Sequence, residues 1–252
     1  MLHRRRRAAV LAVLMLAAGL VIVDLARGNV EPRSAGRPAR VVAPPPTLAG
    51  TVAPASNAPE SALRFPVVGP GTFAYAAGPG PVHGASGPLR RFRVAVENGA
   101  GQVAGDFAAD VDRIFADPRG WTTSGVRLQR VAKAASAEFT IFLATPGTSE
   151  KMCATGGLHT ERFTSCRLPG QVIINLARWW RSVPGYGAPL ADYQAYAINH
   201  EVGHQMGLGH EACPGSGAPA PVMQQQTLGL KGCVANGWPY LDGRRYSGAA
   251  IP

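Results

Sequence analysis

The sequence predicts an α/β domain of the α+β kind, on three observations. Five short segments at 91–97, 126–131, 138–143, 158–164 and 172–175 are rich in β-branched and aromatic residues and read as strands. Two longer segments, 103–115 and 191–206, carry apolar residues at helical spacing. Beyond Gly207 periodicity is lost and glycine and proline accumulate, the composition of an irregular region.

The chain has 252 residues, room for one catalytic-sized domain and an appended segment. His3-Arg4-Arg5-Arg6-Arg7 precedes an apolar run from Ala8 to Val23, closed by Asp24. As a helix that run measures about 24 Å, short of the ~30 Å hydrocarbon core. It is slightly longer than the core of a signal peptide, about 7–15 residues. Asp24 and Leu25 precede Ala26, so no small-x-small cleavage site follows. Residues 1–26 therefore read as a signal anchor, with a cleaved signal peptide as the alternative. Either leaves the basic end in the cytoplasm and exports the remainder, membrane-anchored or secreted. Residues 27–64, rich in proline and alanine around Pro44-Pro45-Pro46, cannot bury a core and read as an extended tether.

Residues 65–252 form the predicted domain. The strand at 91–97 leads to the helix at 103–115, where Val103, Phe107, Val111, Ile114 and Phe115 share a face. Asp117-Pro118-Arg119-Gly120 ends it. The strands at 126–131 and 138–143 follow. The strand at 158–164, flanked by Gly156-Gly157, is the candidate edge strand, with His159 on it. Trp179-Trp180 is expected to pack behind the second helix, and Trp238 reads similarly as a packing residue. On that helix Tyr193, Ala197, His200 and His204 fall at helical spacing.

The net charge of +10 divides unevenly: residues 1–64 hold nine Arg against three acids, and the remainder sixteen Lys+Arg against twelve. Most of the excess lies in leader and linker, so nucleic-acid binding is not inferred. Cys153, Cys166, Cys213 and Cys233 contain no C-x-x-C pair, which argues against a structural zinc knuckle. In an oxidising compartment they make two disulfides. Of the three possible pairings, Cys153–Cys166 with Cys213–Cys233 is preferred because each closes a local loop.

The chemistry is concentrated in residues 200–210, His-Glu-Val-Gly-His-Gln-Met-Gly-Leu-Gly-His, which match H-E-x-x-H-x-x-G-x-x-H at every fixed position. Residues four apart on a helix share a face, so His200 and His204 can offer two imidazoles to one ion. A continuing helix would carry His210 about 9 Å along the axis and away from them. The helix must stop, and Gly207 can end it in the left-handed conformation. Gly209 adds freedom for the return. Three protein ligands leave a fourth position for water, the mark of a catalytic zinc site. Zinc lowers the pKa of such a water and polarises a carbonyl. Glu201, about 100° round the helix from His200, then reads as general base and later as proton donor to the leaving amine.

At these residues the chain resembles the metzincin clan of zinc metalloproteases. Pro221-Val222-Met223 follows His210 after a Pro/Gly-rich stretch, and the resemblance makes Met223 the Met-turn residue. The flanks, including Asp117-Pro118-Arg119-Gly120-Trp121 and Asn236-Gly237-Trp238-Pro239, are similar to secreted zincin-like domains of actinobacteria whose function is unassigned. The resemblance covers roughly residues 65–246. It implies a metzincin-like fold: a twisted mixed sheet with a backing helix and an active-site helix, then a small irregular C-terminal subdomain. In that fold an edge strand holds extended substrate by strand addition.

Departures are visible too. Where astacins and serralysins place a tyrosine ligand after the Met-turn, this chain has Gln225. Tyr240 or Tyr246 could approach the site instead. Glu211 follows the third histidine, as in astacins, and reads as an ion-pair or hydrogen-bond partner. It is the only glutamate after His204, too close to be the third ligand of a gluzincin. The linker lacks cysteine, which excludes a cysteine-switch latency segment.

The expectation is an exported, monomeric zinc endopeptidase with one catalytic zinc ion and a peptide or protein substrate, the cell envelope being one source of it. Two alternatives stand beside it. One is a non-catalytic zinc-bearing interaction module at the envelope. The other is hydrolysis of a non-protein amide such as a peptidoglycan cross-link.

Overall fold

A computed structural model describes residues 65–251. The expectations for 1–26 and 27–64 lie outside the described residues. Among those described, no helix is long and apolar enough to cross a membrane.

The core is a mixed sheet built on β3 (Leu89–Glu97), β4 (Arg127–Arg130), β5 (Phe139–Ala144) and β7 (Gln171–Asn175). These four run parallel in the order β4-β3-β5-β7. Three antiparallel strands complete it. β2 (Val82–His83) pairs with β4, β1 (Phe73–Tyr75) with the end of β3, and β6 (Cys166–Leu168) with β7 at the far edge. The class expected from the sequence, helices with a mixed sheet, is observed.

Strand alternation sorts the side chains into two layers. Phe92, Val94 and Val96 of β3, Ile141 and Leu143 of β5, and Val172 and Ile174 of β7 enter the main core. There they meet α1 (Ala104–Ala116) and α4 (Leu190–Gln205). Phe107, Val111, Ile114 and Phe115 of α1 are buried, as the spacing predicts, but Val103, expected on the same face, precedes the first turn in extended conformation and is exposed. Cys166 and Leu168 of β6 and Ile173 of β7 face the opposite side, where they cluster with Cys153 of α2 (Pro146–Ala154). Between β7 and α4 lies α3 (Leu176–Arg181), whose Trp179 is buried edge-on against Phe107. Its carbonyl accepts from Gln194 Nε2 of α4 at 3.0 Å, so Trp179 does pack behind that helix.

Both disulfides form in the expected pairing, Cys153–Cys166 and Cys213–Cys233. The first ties α2 to β6. A buried carboxylate makes a second tie on the same side. Glu97, at the end of β3, accepts from Gly71 N at 2.8 Å, Thr145 N at 2.7 Å and Thr148 Oγ1 at 2.6 Å. It thereby joins the N-terminal segment to the start of α2.

Residues 158–164 are not a strand. Glu161 and Arg162 adopt left-handed backbone conformations (φ 53° and 57°). The Glu150 carboxylate takes the amides of Thr160 and Arg162 at 3.1 and 3.0 Å, donors that a ladder would need. The edge strand is β6 instead. Sequence periodicity also passes over α2, which has no apolar stripe and starts on a cap rather than a pattern. Thr145 Oγ1 accepts from Thr148 N at 3.4 Å and Pro146 takes the first turn.

Candidate metal centre

α4 runs to Gln205 and is closed by Met206. Gly207 then adopts φ 92°. Gly207 N donates to His204 O and Leu208 N to Gly203 O, each at 3.0 Å. These two bonds form a Schellman cap, which a left-handed glycine makes possible. The cap reverses the chain, as the spacing requires, and brings His210 back to the helix.

The three histidines converge. His204 Nε2 lies 3.2 Å from His200 Nε2 and 3.1 Å from His210 Nε2. All three ligand atoms fall within 4.8 Å of one another, a set that could hold a metal ion. Two backbone carbonyls orient the rings. His200 Nδ1 bonds Val222 O and His204 Nδ1 bonds Leu208 O, both at 2.8 Å. A carbonyl only accepts, so each Nδ1 carries the proton and each Nε2 presents a lone pair.

The short Nε2 separations are therefore not hydrogen bonds between imidazoles. Lone pairs gathered this closely repel one another, and a cation among them would relieve that repulsion. A tetrahedral ion with nitrogens at about 2.0–2.1 Å holds them about 3.3 Å apart, close to the spacing found. Burial holds all three imidazoles below their usual pKa, and neighbouring histidines add to the effect at His200 and His210. His200 falls to about 3, with the Val222 bond acting the other way. For His204 the Leu208 bond opposes burial, and the Arg167 cation lowers it further. Neutral imidazole is the form that binds metal.

Glu201 follows His200 and is buried, yet it lines the same cleft as the histidines. Burial pushes its carboxyl up to about 8. A cation among the imidazoles would favour the carboxylate and draw that value down. The cleft has a volume of about 760 Å³. Its far wall is the segment from Leu158 to Arg167, and its floor includes Tyr196, Gln225 and Thr227. His159 is exposed and lines the wall from an irregular segment.

Beneath the helix, Pro221–Gln224 form a tight turn closed by Gln224 N donating to Pro221 O at 2.9 Å. Met223 sits in it, fully buried. Its sulfur rests against the Cα of Gly203, where a Cβ would overlap it. The same turn supplies the Val222 carbonyl that orients His200. The disulfide Cys213–Cys233 closes the stretch leading into it. Glu211 pairs with Arg245 NH2 at 2.8 Å and accepts from Gly248 N at 3.3 Å. Trp238 is buried beneath the Arg119 guanidinium. Tyr240 and Tyr246 do not line the cleft. The tyrosine that does is Tyr196, one turn before His200 on α4, with ring centroids 5.3 Å apart. Sequence reasoning passed over Tyr196 although its i−4 spacing was readable. It also passed over Arg167, whose neighbourhood depends on tertiary pairing alone.

A family model described as "Protein of unknown function (DUF3152)" matches residues 60–240. No curated protein and no solved structure matches the chain.

Proposed function

The chain belongs to the DUF3152 family, and we propose that it is a metzincin-type zinc metallopeptidase acting outside the cytoplasm. The carrying observation is the convergence of three Nε2 lone pairs, two fixed by backbone carbonyls, beside Glu201 in an open cleft. His200, His204 and His210 would hold the ion. Zinc bound there would polarise the scissile carbonyl and acidify a water.

The protein's own groups do the rest. Glu201 takes a proton from the attacking water on its carboxylate and returns it to the leaving amine. Leu208 and Val222 keep the imidazole protons on Nδ1, so that the ligand lone pairs stay directed at the centre. Met223 supports the helix from below, in the place of a Met-turn. β6 offers the unpaired edge along which an extended peptide would lie. Two disulfides fit an oxidising compartment. Peptide bonds and non-protein amides such as peptidoglycan cross-links share this chemistry.

Zinc content and cleavage of a peptide library, measured on the full chain and on Glu201→Ala, test the reading. One zinc per chain in both, with cleavage lost in the variant, is expected. Equal cleavage by both would sink the mechanism. Zinc in both without cleavage of any peptide or peptidoglycan fragment would favour a non-catalytic module.

A further inference from the structure

The wall of the cleft carries a cation for which zinc chemistry has no use. Arg167 is the middle residue of β6. Cys166 and Leu168 turn towards α2, so Arg167 turns the other way, with its register partner Val172, to the α4 face. It is half-buried and lines the cleft together with His204 and Glu201. No other arginine or lysine lines the cleft among the described residues.

Its partner is unusual for a half-buried cation. Arg167 Nε donates to Gln205 Oε1 at 2.9 Å, a neutral amide beside ligand His204. Arg90, Arg119, Arg130 and Arg245 each hold a carboxylate. Among the described residues, no carboxylate lies within ion-pair distance of Arg167. A guanidinium has five N–H donors in a planar fork, and Gln205 engages only one. The amide fixes the direction of the fork without neutralising its charge. The wall around it is held as well, because Glu150 takes the amides of Thr160 and Arg162 and so fixes the left-handed pair Glu161 and Arg162. Backbone held in that region by surrounding contacts is a feature of ligand-binding segments.

We propose that Arg167 is a specificity-determining residue that binds a substrate carboxylate close to the scissile bond. The carboxylate is either an Asp or Glu side chain or a free C-terminus, and both offer the two oxygens that a guanidinium fork matches. This rests on the peptidase reading of the cleft. The competing role is a plain structural clamp between β6 and the end of α4. The two roles make opposite demands on residue 205. A clamp is strengthened by a carboxylate there, whereas a recognition site is filled by it.

The test is binding of dye-labelled peptides to the zinc-loaded full chain carrying Glu201→Ala, read by fluorescence anisotropy. The probes are a positional hexapeptide library with Glu or Gln at each position, and the same peptides with free or amidated C-termini. The expected result is about 10- to 100-fold tighter binding of the carboxylate member of one pair. The pair that responds, internal or terminal, identifies the source of the carboxylate. That ratio falls towards one in Arg167→Gln and also in Gln205→Glu, which keeps the arginine folded against its neighbour. Equal binding of both members by the parent overturns the proposal, as does a ratio unchanged by Gln205→Glu. Cleavage by the protein with Glu201 intact separates the two readings. A carboxylate preference without cleavage refutes the peptidase and leaves the recognition site. Cleavage without preference does the reverse.

Discussion

Gly203 and Met223 touch where any side chain at 203 would collide: a Cβ there would overlap the Met223 sulfur and come within 3.1 Å of the Trp121 ring. Position 203 is a variable place in the zinc motif, yet here glycine is required by the buried turn beneath the helix. Gly203→Ala is expected to cost about 1–3 kcal/mol by overpacking, seen as a lower thermal midpoint. A variant as stable as the parent would mean that Met223 has room to move.

Gly207 holds φ 92°, and the cap it permits places the Leu208 carbonyl on His204. Gly207→Val forces a β-branched residue into that conformation, at about 1–3 kcal/mol. Because the orienting carbonyl moves with it, zinc affinity should fall about 10- to 100-fold. Competition titration against a chelating dye reads this directly. Unchanged affinity would detach the cap from the metal centre.

On the proposed reading zinc stabilises the fold, since His200 and His204 come from α4 and His210 from the segment that follows it. Free zinc at a hundred times its dissociation constant adds about 2.7 kcal/mol. A chelator should therefore lower the melting temperature of the parent and leave His204→Ala unmoved. Equal shifts in both proteins would place the ion elsewhere.

Glu97 is buried under three donors from two separate segments. Glu97→Gln keeps the shape but turns one acceptor into a donor facing donors. A loss of about 1–3 kcal/mol in denaturant unfolding is expected. The three histidines lie on the other side of the sheet, so the zinc stoichiometry of the proposed site should hold.

The zinc-motif helix was readable almost to the residue, as 191–206 against the observed Leu190–Gln205. Its end is marked by Gly207, a local signal. The disulfide pairing was readable because each pair is near in sequence. The α1 face was readable because its apolar residues follow one period. The 158–164 segment misled because its β-branched and aromatic content is real, while the Glu150 side chain that claims its amides is invisible to periodicity. Arg167 was missed for a related reason: its meaning depends on Gln205, 38 residues away. β1 and β2, at three and two residues, carry too short a pattern to register.

The wall opposite the histidines is anchored to α2 twice, by the Glu150 clamp and by Cys153–Cys166. α2 lies on the face of the sheet away from α4. The ligand geometry and the contour of the wall are thus set by two elements that do not share a surface. Substitutions in α2 or its loop can therefore recut the cleft while the three histidines stay in register.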